Sequence, residues 1–479
     1  MSDIAPSPTP RHSKHNRKMG LWQVIALAVG TMVGASIFSI FGLGAHLAGP
    51  NLPLVFVLSG AVALLVAYSY AKLGSRIISD AGPIEFILKG MGDGILTGAL
   101  SILFWLTYVV SIALFAKGFA SYLLPLLNIP VTSLASSITE AGVVIVFLLL
   151  GLLGSSAVGK AELVIVVIKL SILGLFVALG VWSIKPYLVT PSFTPSAMAG
   201  SVNAIAIFFL SYMGFGLVTN ASEHMQNPQK NVPRAIYLSI LIVSVVYILV
   251  SLVAVGNLTL PDLIKAQDNA LAVAAEPFLG KTGFLLISLG ALFSIASALN
   301  ATLFGGANVA YALARDGELP RKFNRKRWFG SSEGLYFTAA LGIVFALVFN
   351  LNGIASITSG VFMVIYLFVL FSHWKLKGQY GGNPLIIATG FVVVAVVFLL
   401  LLKYQWSTDR GSFYGTCIVL GGSLLLEIIY RGITRRGFIQ RQLTLLKKSE
   451  KDLIGELDKE FSQLLSHPQR RRSDMKDTP

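Results

Sequence analysis

Charge is scarce in this chain. Only 12% of its 479 residues are Asp, Glu, Lys or Arg, against about a quarter in a soluble protein. With 55% hydrophobic residues and a mean hydropathy of +0.75, that scarcity excludes a soluble globular fold. Cysteine is nearly absent too. Cys417 is the only one, so a disulfide within the chain is impossible and metal clusters of the cysteine type are excluded. His46, His373 and His467 lack Cys or acid companions at ligand spacing, and no phosphate loop or nucleophile triad is present. An enzyme is therefore disfavoured, and no cofactor or metal is expected. The long apolar runs lack period-2 alternation, which argues against an outer-membrane barrel. No cleavable signal peptide is expected, since the first twenty residues are polar and basic and the first apolar run is long.

Apolar runs of membrane-crossing length are abundant. About 20 residues suffice for a helical span, and twelve stretches qualify: Leu21–Leu47, Leu52–Lys72, Gly94–Leu124, Ile138–Leu153, Ala161–Ile184, Ser201–Ala221, Arg234–Val255, Thr282–Leu313, Gly334–Phe349, Ile354–Trp374, Pro384–Leu402 and Phe413–Tyr430. The expected fold is an all-α polytopic membrane protein in the lipid bilayer. The net charge of +15 reflects topology, not nucleic-acid binding. Numbered from the N-terminus, the connections on one side hold 30 of the 37 Lys and Arg. The other side holds only Lys185, Lys265, Lys281, Lys403 and Arg410, while Lys117 and Lys169 lie inside spans. Positive charge favours the cytoplasmic side, which predicts a plasma-membrane protein with both termini cytoplasmic.

Two spans break the helix rules at matching places. Span 1 carries Gly30 and Gly34, followed by Ala35 and Ser36; span 6 carries Gly214 and Gly216. Unpaired backbone is costly in hydrocarbon and survives where it lines a cavity or binds something. Paired glycine-interrupted spans in two halves point to a transporter's binding site. Taken alone, Gly30-xxx-Gly34 is also a helix-packing pattern; the second break, at Ser211–Gly216, favours a site. Spans 1–5 and 6–10 form two blocks of five. Five is odd, so the second block is inverted relative to the first. The expected organisation is an N-terminal arm (1–20), a first half (21–184), a second half (201–374), two extra C-terminal helices (384–430) and a cytoplasmic tail (431–479). Within the tail, Phe438–Leu465 reads as an amphipathic helix.

Several stretches carry a family resemblance. VGTMVGASIF at 29–38, AGPIEFILKGMGD at 81–93, GKAELVIVVIKLSILGLF at 159–176, FFLSYMGFGLVTNASEHMQNPQKNVPRAI at 208–236 and ALNATLFGGANVAYALARDGELPRKF at 298–323 occur in order. Together they resemble the amino acid–polyamine–organocation (APC) superfamily, most closely its prokaryotic, proton-coupled amino acid permeases. The resemblance implies a five-plus-five inverted repeat with discontinuous helices 1 and 6, and amino-acid transport by alternating access. It places the substrate carboxylate at the backbone of Val33, Gly34, Ala35 and Ser36. It places the ammonium at carbonyls around Val29, Gly30, Phe209, Leu210 and Tyr212. Ser36 departs from the family, which commonly has a third glycine there.

No carboxylate is placed at the predicted membrane centre to carry a proton or bind sodium; Glu427 lies near a span end, one turn from Arg431. Lys169 is the obvious titratable group, ~12 Å inside span 5 at 1.5 Å per residue. A lysine at that depth costs about 2.5–3.5 kcal/mol on the insertion scale and needs a reason. The resemblance supplies one: in proton-coupled relatives a lysine here occupies the place of a sodium ion between spans 1, 5 and 8, with Ser294 and Ser297 as neighbours. A permanently charged structural lysine capping span-1 carbonyls is the alternative. Lys117, near the outer end of span 3, is expected to snorkel. These features point to a secondary active amino-acid transporter, with proton symport the expected coupling. The alternatives are an ion-independent exchanger of amino acids or amines and a non-translocating nutrient sensor.

Overall fold

The computed structural model describes residues 18–79, 81–152, 158–315, 319, 323 and 333–434. Residues 1–17 of the arm, most of the basic run after Arg315 and the amphipathic segment expected at Phe438–Leu465 lie outside these. Among the described residues, ten helices are long and apolar enough to cross a membrane, and two shorter apolar helices accompany them. The protein is an all-α polytopic membrane protein.

Span 1 runs in three pieces, Leu21–Met32, Ala35–Phe38 and Phe41–Ala48. Spans 2 to 5 are Leu52–Gly74, Ile95–Leu126, Ser133–Leu152 and Val158–Gly180. Span 6 is Pro195–Phe208, a tighter 3₁₀ stretch Phe209–Gly216, and Leu217–Asn220. Spans 7 to 12 are Pro228–Asn257, Glu276–Arg315, Glu333–Val348, Leu351–Tyr380, Pro384–Thr408 and Arg410–Thr434. Proline opens spans 6, 7 and 11 in the first turn, where its missing N–H has no helical partner to lose. Asn227 enters span 7 in the left-handed region, φ 45°, a conformation that Asn tolerates. Span ends differ from the sequence expectation by several residues, because capping side chains and short outer helices extend the apolar runs. Asn350, for example, starts span 10 by accepting from Gly353 N at 2.7 Å.

The layering follows composition. Span 3 is the most enclosed helix, with 94% of its apolar window buried, whereas spans 4 and 11 bury 17% and 28%. Span 3 packs on spans 8, 9 and 10, and span 1 packs on spans 5, 6, 7 and 8. Spans 1 and 6 thus lie among other spans, while spans 4, 5 and 11 are the more exposed. The chain divides into two compact units, Met1–Leu424 and Leu425–Pro479. In the second, the end of span 12 is described, and there Arg431 Nε donates to Glu427 Oε1 at 2.9 Å.

One expectation is overturned. Lys117 does not reach for the interface. Its ammonium lies 3.0 Å from Glu140 Oε1 on span 4, and the Glu140 side chain is only 4% exposed. A buried carboxylate so close holds the lysine inward, because separating the pair would leave the acid's charge uncompensated. Asn257 is buried and donates to the carbonyls of Gly180 and Val253 at 2.9 Å each.

Candidate substrate site at the two helix breaks

Helix ends leave carbonyls without intrahelical donors, and in a membrane interior those carbonyls must find partners. In span 1 the helix stops at Met32. Val33 leaves the helical region at φ −80°, ψ 70°. Val33 N still donates to Val29 O, and Gly34 N turns back to Met32 O, each at 2.9 Å. The freed carbonyls are met by side chains from four other spans. Lys169 of span 5 donates to Gly30 O and, at 2.9 Å, to Val33 O. Ser294 of span 8 also donates to Val33 O. Tyr247 of span 7 donates to Met32 O at 2.5 Å, and Tyr122 of span 3 donates to Phe38 O at 2.7 Å. Ser36 Oγ donates to Met32 O at 3.1 Å and lies 3.3 Å from the Tyr247 hydroxyl. Lys169 is fully buried, and Ser294 and Ser297 are buried on span 8.

Span 6 answers differently. Its break is a 3₁₀ segment, not an open turn, so it keeps local hydrogen bonds while changing pitch. Gly214 lets the two breaks touch: a Cβ there would sit 2.8 Å from Met32 Cγ and 3.0 Å from Ala28 O. Gly34 is likewise enclosed, 3.1 Å from a Phe115 ring carbon and 3.3 Å from Ala298 Cβ by the same measure. Packing and exposed backbone therefore share the same glycines.

Beside the breaks lies a small cavity of about 90 Å³, partly open to solvent. Ser36 and Leu210 line it, together with Thr31, Met32, Met213 and Gly214. Val29, Gly30, Val33, Gly34, Phe209 and Tyr212 stand behind this lining. Tyr212 turns away and donates to Phe56 O on span 2 at 2.9 Å, and Phe209 packs edge-on against Tyr366. The side chain of Ala35 is outside what the structure describes. The far wall comes from residues the sequence reading did not single out: Thr107, Ser111 and Phe115 on span 3, Thr302 on span 8 and Tyr366 on span 10. Their signal was the i, i+4 stripe Thr107–Ser111–Phe115 on an otherwise featureless helix.

The cavity's lining reaches Pro83 and Asn220, near the end where Met19 pairs with Met225. There Asn220 donates to the Tyr108 hydroxyl at 3.3 Å. Toward the other end of span 1, backbone packs closely on backbone. A Cβ at Gly42 would sit 2.1 Å from Gln267 O, and one at Gly200 would sit 2.0 Å from Leu47 O.

The family model described as "Amino acid permease" matches residues 19–422, a span that includes both breaks, Lys169 and the cavity. The chain belongs to the amino acid permease family. An uncharacterized protein of Methanocaldococcus jannaschii is 62% identical, over 88% of this chain and 97% of its own. The inner membrane transport protein YbaT of Escherichia coli is 34% identical over the same shares. The methylthioribose transporter of Bacillus subtilis is 31% identical over 64% of this chain and 69% of its own. A permease of this family is a transporter, not an enzyme, and the match places this one in the APC superfamily, within which amino-acid transport is the supported activity.

Proposed function

We propose that this permease is a proton-coupled amino-acid symporter of the plasma membrane that works by alternating access. The zwitterion binds at the two breaks once the span-1 turn opens: the carboxylate at the amides of Val33, Gly34, Ala35 and Ser36, the first two giving up Val29 O and Met32 O, and the ammonium at carbonyls around Val29, Gly30, Phe209, Leu210 and Tyr212. The observation that carries this reading is Lys169, a fully buried cation donating to two carbonyls of the span-1 break. Protonated, it ties span 5 to span 1. Neutral, it has fewer donors and a weaker hold on them. A proton at Nζ is thereby coupled to the position of the helix that forms half of the substrate site. Ser294 and Ser297 complete the setting from span 8.

Uptake of labelled amino acids into proteoliposomes tests it. A proton gradient directed inward, with the outside acidic, should drive accumulation in sodium-free buffer, and a strict sodium requirement would place the chain in another coupling class. A second reading has one observation in its favour. Two carbonyl acceptors stabilise the charged ammonium, as expected of a fixed structural cation in an ion-independent exchanger. Uptake that depends on internal amino acid and ignores the pH gradient would select that reading. Both termini are placed in the cytoplasm, and labelling of cysteines introduced at 321–327 from outside intact cells would reverse that orientation.

A further inference from the structure

The cavity wall has a chemistry of its own. Beyond the two breaks it is built from Phe104, Leu114 and Phe115 of span 3, Met213 of span 6 and Phe362 of span 10. Polar side chains are present, and the donor hydrogens of Thr107, Ser111, Thr31 and Tyr366 are engaged. Thr107 donates to Phe104 O at 2.6 Å, Ser111 to Thr107 O at 2.7 Å and Thr31 to Leu27 O at 2.9 Å. The Tyr366 hydroxyl donates to Met213 O at 3.3 Å. Asp, Glu, Lys, Arg and His are absent from the lining among the described residues.

From this we infer that the site selects neutral L-amino acids with apolar side chains and rejects cationic and acidic ones. The inference rests on the amino-acid reading above and adds the class of side chain. The zwitterion's own charges are met by backbone at the breaks. A second charge, on the substrate side chain, would be carried into a wall that offers no opposite charge, and an unpaired buried charge is strongly disfavoured. For lysine or arginine the protonated Lys169 has the wrong sign, since it sits on the carbonyls of the break. For aspartate or glutamate, the hydroxyl hydrogens of Thr107, Ser111, Thr31 and Tyr366 are turned to backbone carbonyls and offer a carboxylate no donor. An aliphatic or aromatic side chain, by contrast, gains burial against three phenyl rings, a leucine and a methionine.

The test is equilibrium binding of an L-amino-acid panel, plus methylthioribose, to the purified full-length protein in detergent. Leucine, methionine and phenylalanine should bind, and lysine, arginine and glutamate should be weaker by roughly 100-fold or more. Lysine or glutamate binding within tenfold of leucine would overturn the selectivity and leave the amino-acid reading standing. Methylthioribose binding with no amino acid bound, or no binding of any panel member by folded protein, would overturn the amino-acid reading itself. Two variants then locate the side chain. Ser111→Asp should gain lysine binding and lose leucine affinity by roughly tenfold or more. Thr302→Asp supplies the same carboxylate from span 8, should the first variant fail to fold. Unchanged leucine binding without lysine binding in a folded Asp variant would show that the substrate side chain does not lie on this wall.

Discussion

Lys169 Nζ lies 2.9 Å from the carbonyl oxygen of Val33, joining a continuous span to the residue at which another span leaves the helix. Ser294 reaches the same oxygen from span 8. Three helices therefore meet on one carbonyl, and a change of charge at one nitrogen is felt by all three. Such a junction is a plausible point of coupling on physical grounds, because the break cannot shift without changing the lysine's hydrogen bonds.

Removing that nitrogen should uncouple the transporter. Lys169→Ala is expected to lose concentrative uptake in proteoliposomes while retaining part of its substrate binding. Lys169→Arg should also stop the proton-driven cycle, since arginine does not deprotonate in proteins. Equal, pH-dependent uptake by wild type and Lys169→Ala would show that the proton travels elsewhere.

The close contact of Gly42 with Gln267 should respond to a single methyl group. Gly42→Ala places a Cβ against the Gln267 carbonyl oxygen, at 2.1 Å before any adjustment, so the outer part of span 1 is pushed off its seat. In a Cys417→Ser background carrying Ser111→Cys, a membrane-impermeant thiol reagent should label position 111 from the outside faster when Gly42→Ala is present. An unchanged rate would mean that access does not depend on this contact.

Glu140 should be a stability residue. Glu140→Ala leaves Lys117 in an enclosed position without its carboxylate, and breaking a buried pair costs about 3–5 kcal/mol. Thermal unfolding in detergent should show a large drop, and Lys117→Met in addition should recover much of it. A double variant as unstable as Glu140→Ala alone would refute the pairing as the source of the loss.

Asp268 gives stability a pH dependence. It sits in the connection Gln267–Asn269, and burial raises its pKa from 3.8 to about 6, against a smaller opposing pull from Lys117. An acid whose pKa is raised on folding binds more protons folded than unfolded, so its contribution to stability is present at low pH and is lost as pH climbs from about 4 through 6. Asp268→Asn should flatten the pH dependence of the thermal midpoint across that window. Identical pH profiles for the two proteins would remove Asp268 from the account.

Much of this protein is local in its sequence. Twelve apolar runs of membrane-crossing length, the glycines at Gly34 and Gly214, and a lysine deep in span 5 are properties of single segments. Hydrocarbon punishes polar backbone and charge strongly enough that each departure stands out in the letters alone. The spans, the places of the two breaks and the singular position of Lys169 were therefore legible. What meets what was not. Lys169 and Gly30 are 139 residues apart, and Tyr247 and Met32 are 215. Nothing local to Tyr247 says that its hydroxyl will close the span-1 break, or that Glu140 will hold Lys117 inside. The form of the second break, a 3₁₀ stretch in place of an open turn, likewise depends on how closely span 1 approaches Gly214. The wall of the cavity needed the tertiary structure most of all. Phe104, Thr107, Ser111 and Phe115 form one helix face until spans 6, 8 and 10 are set around it, because a cavity wall is made by several helices together and not by any residue type that a single span displays.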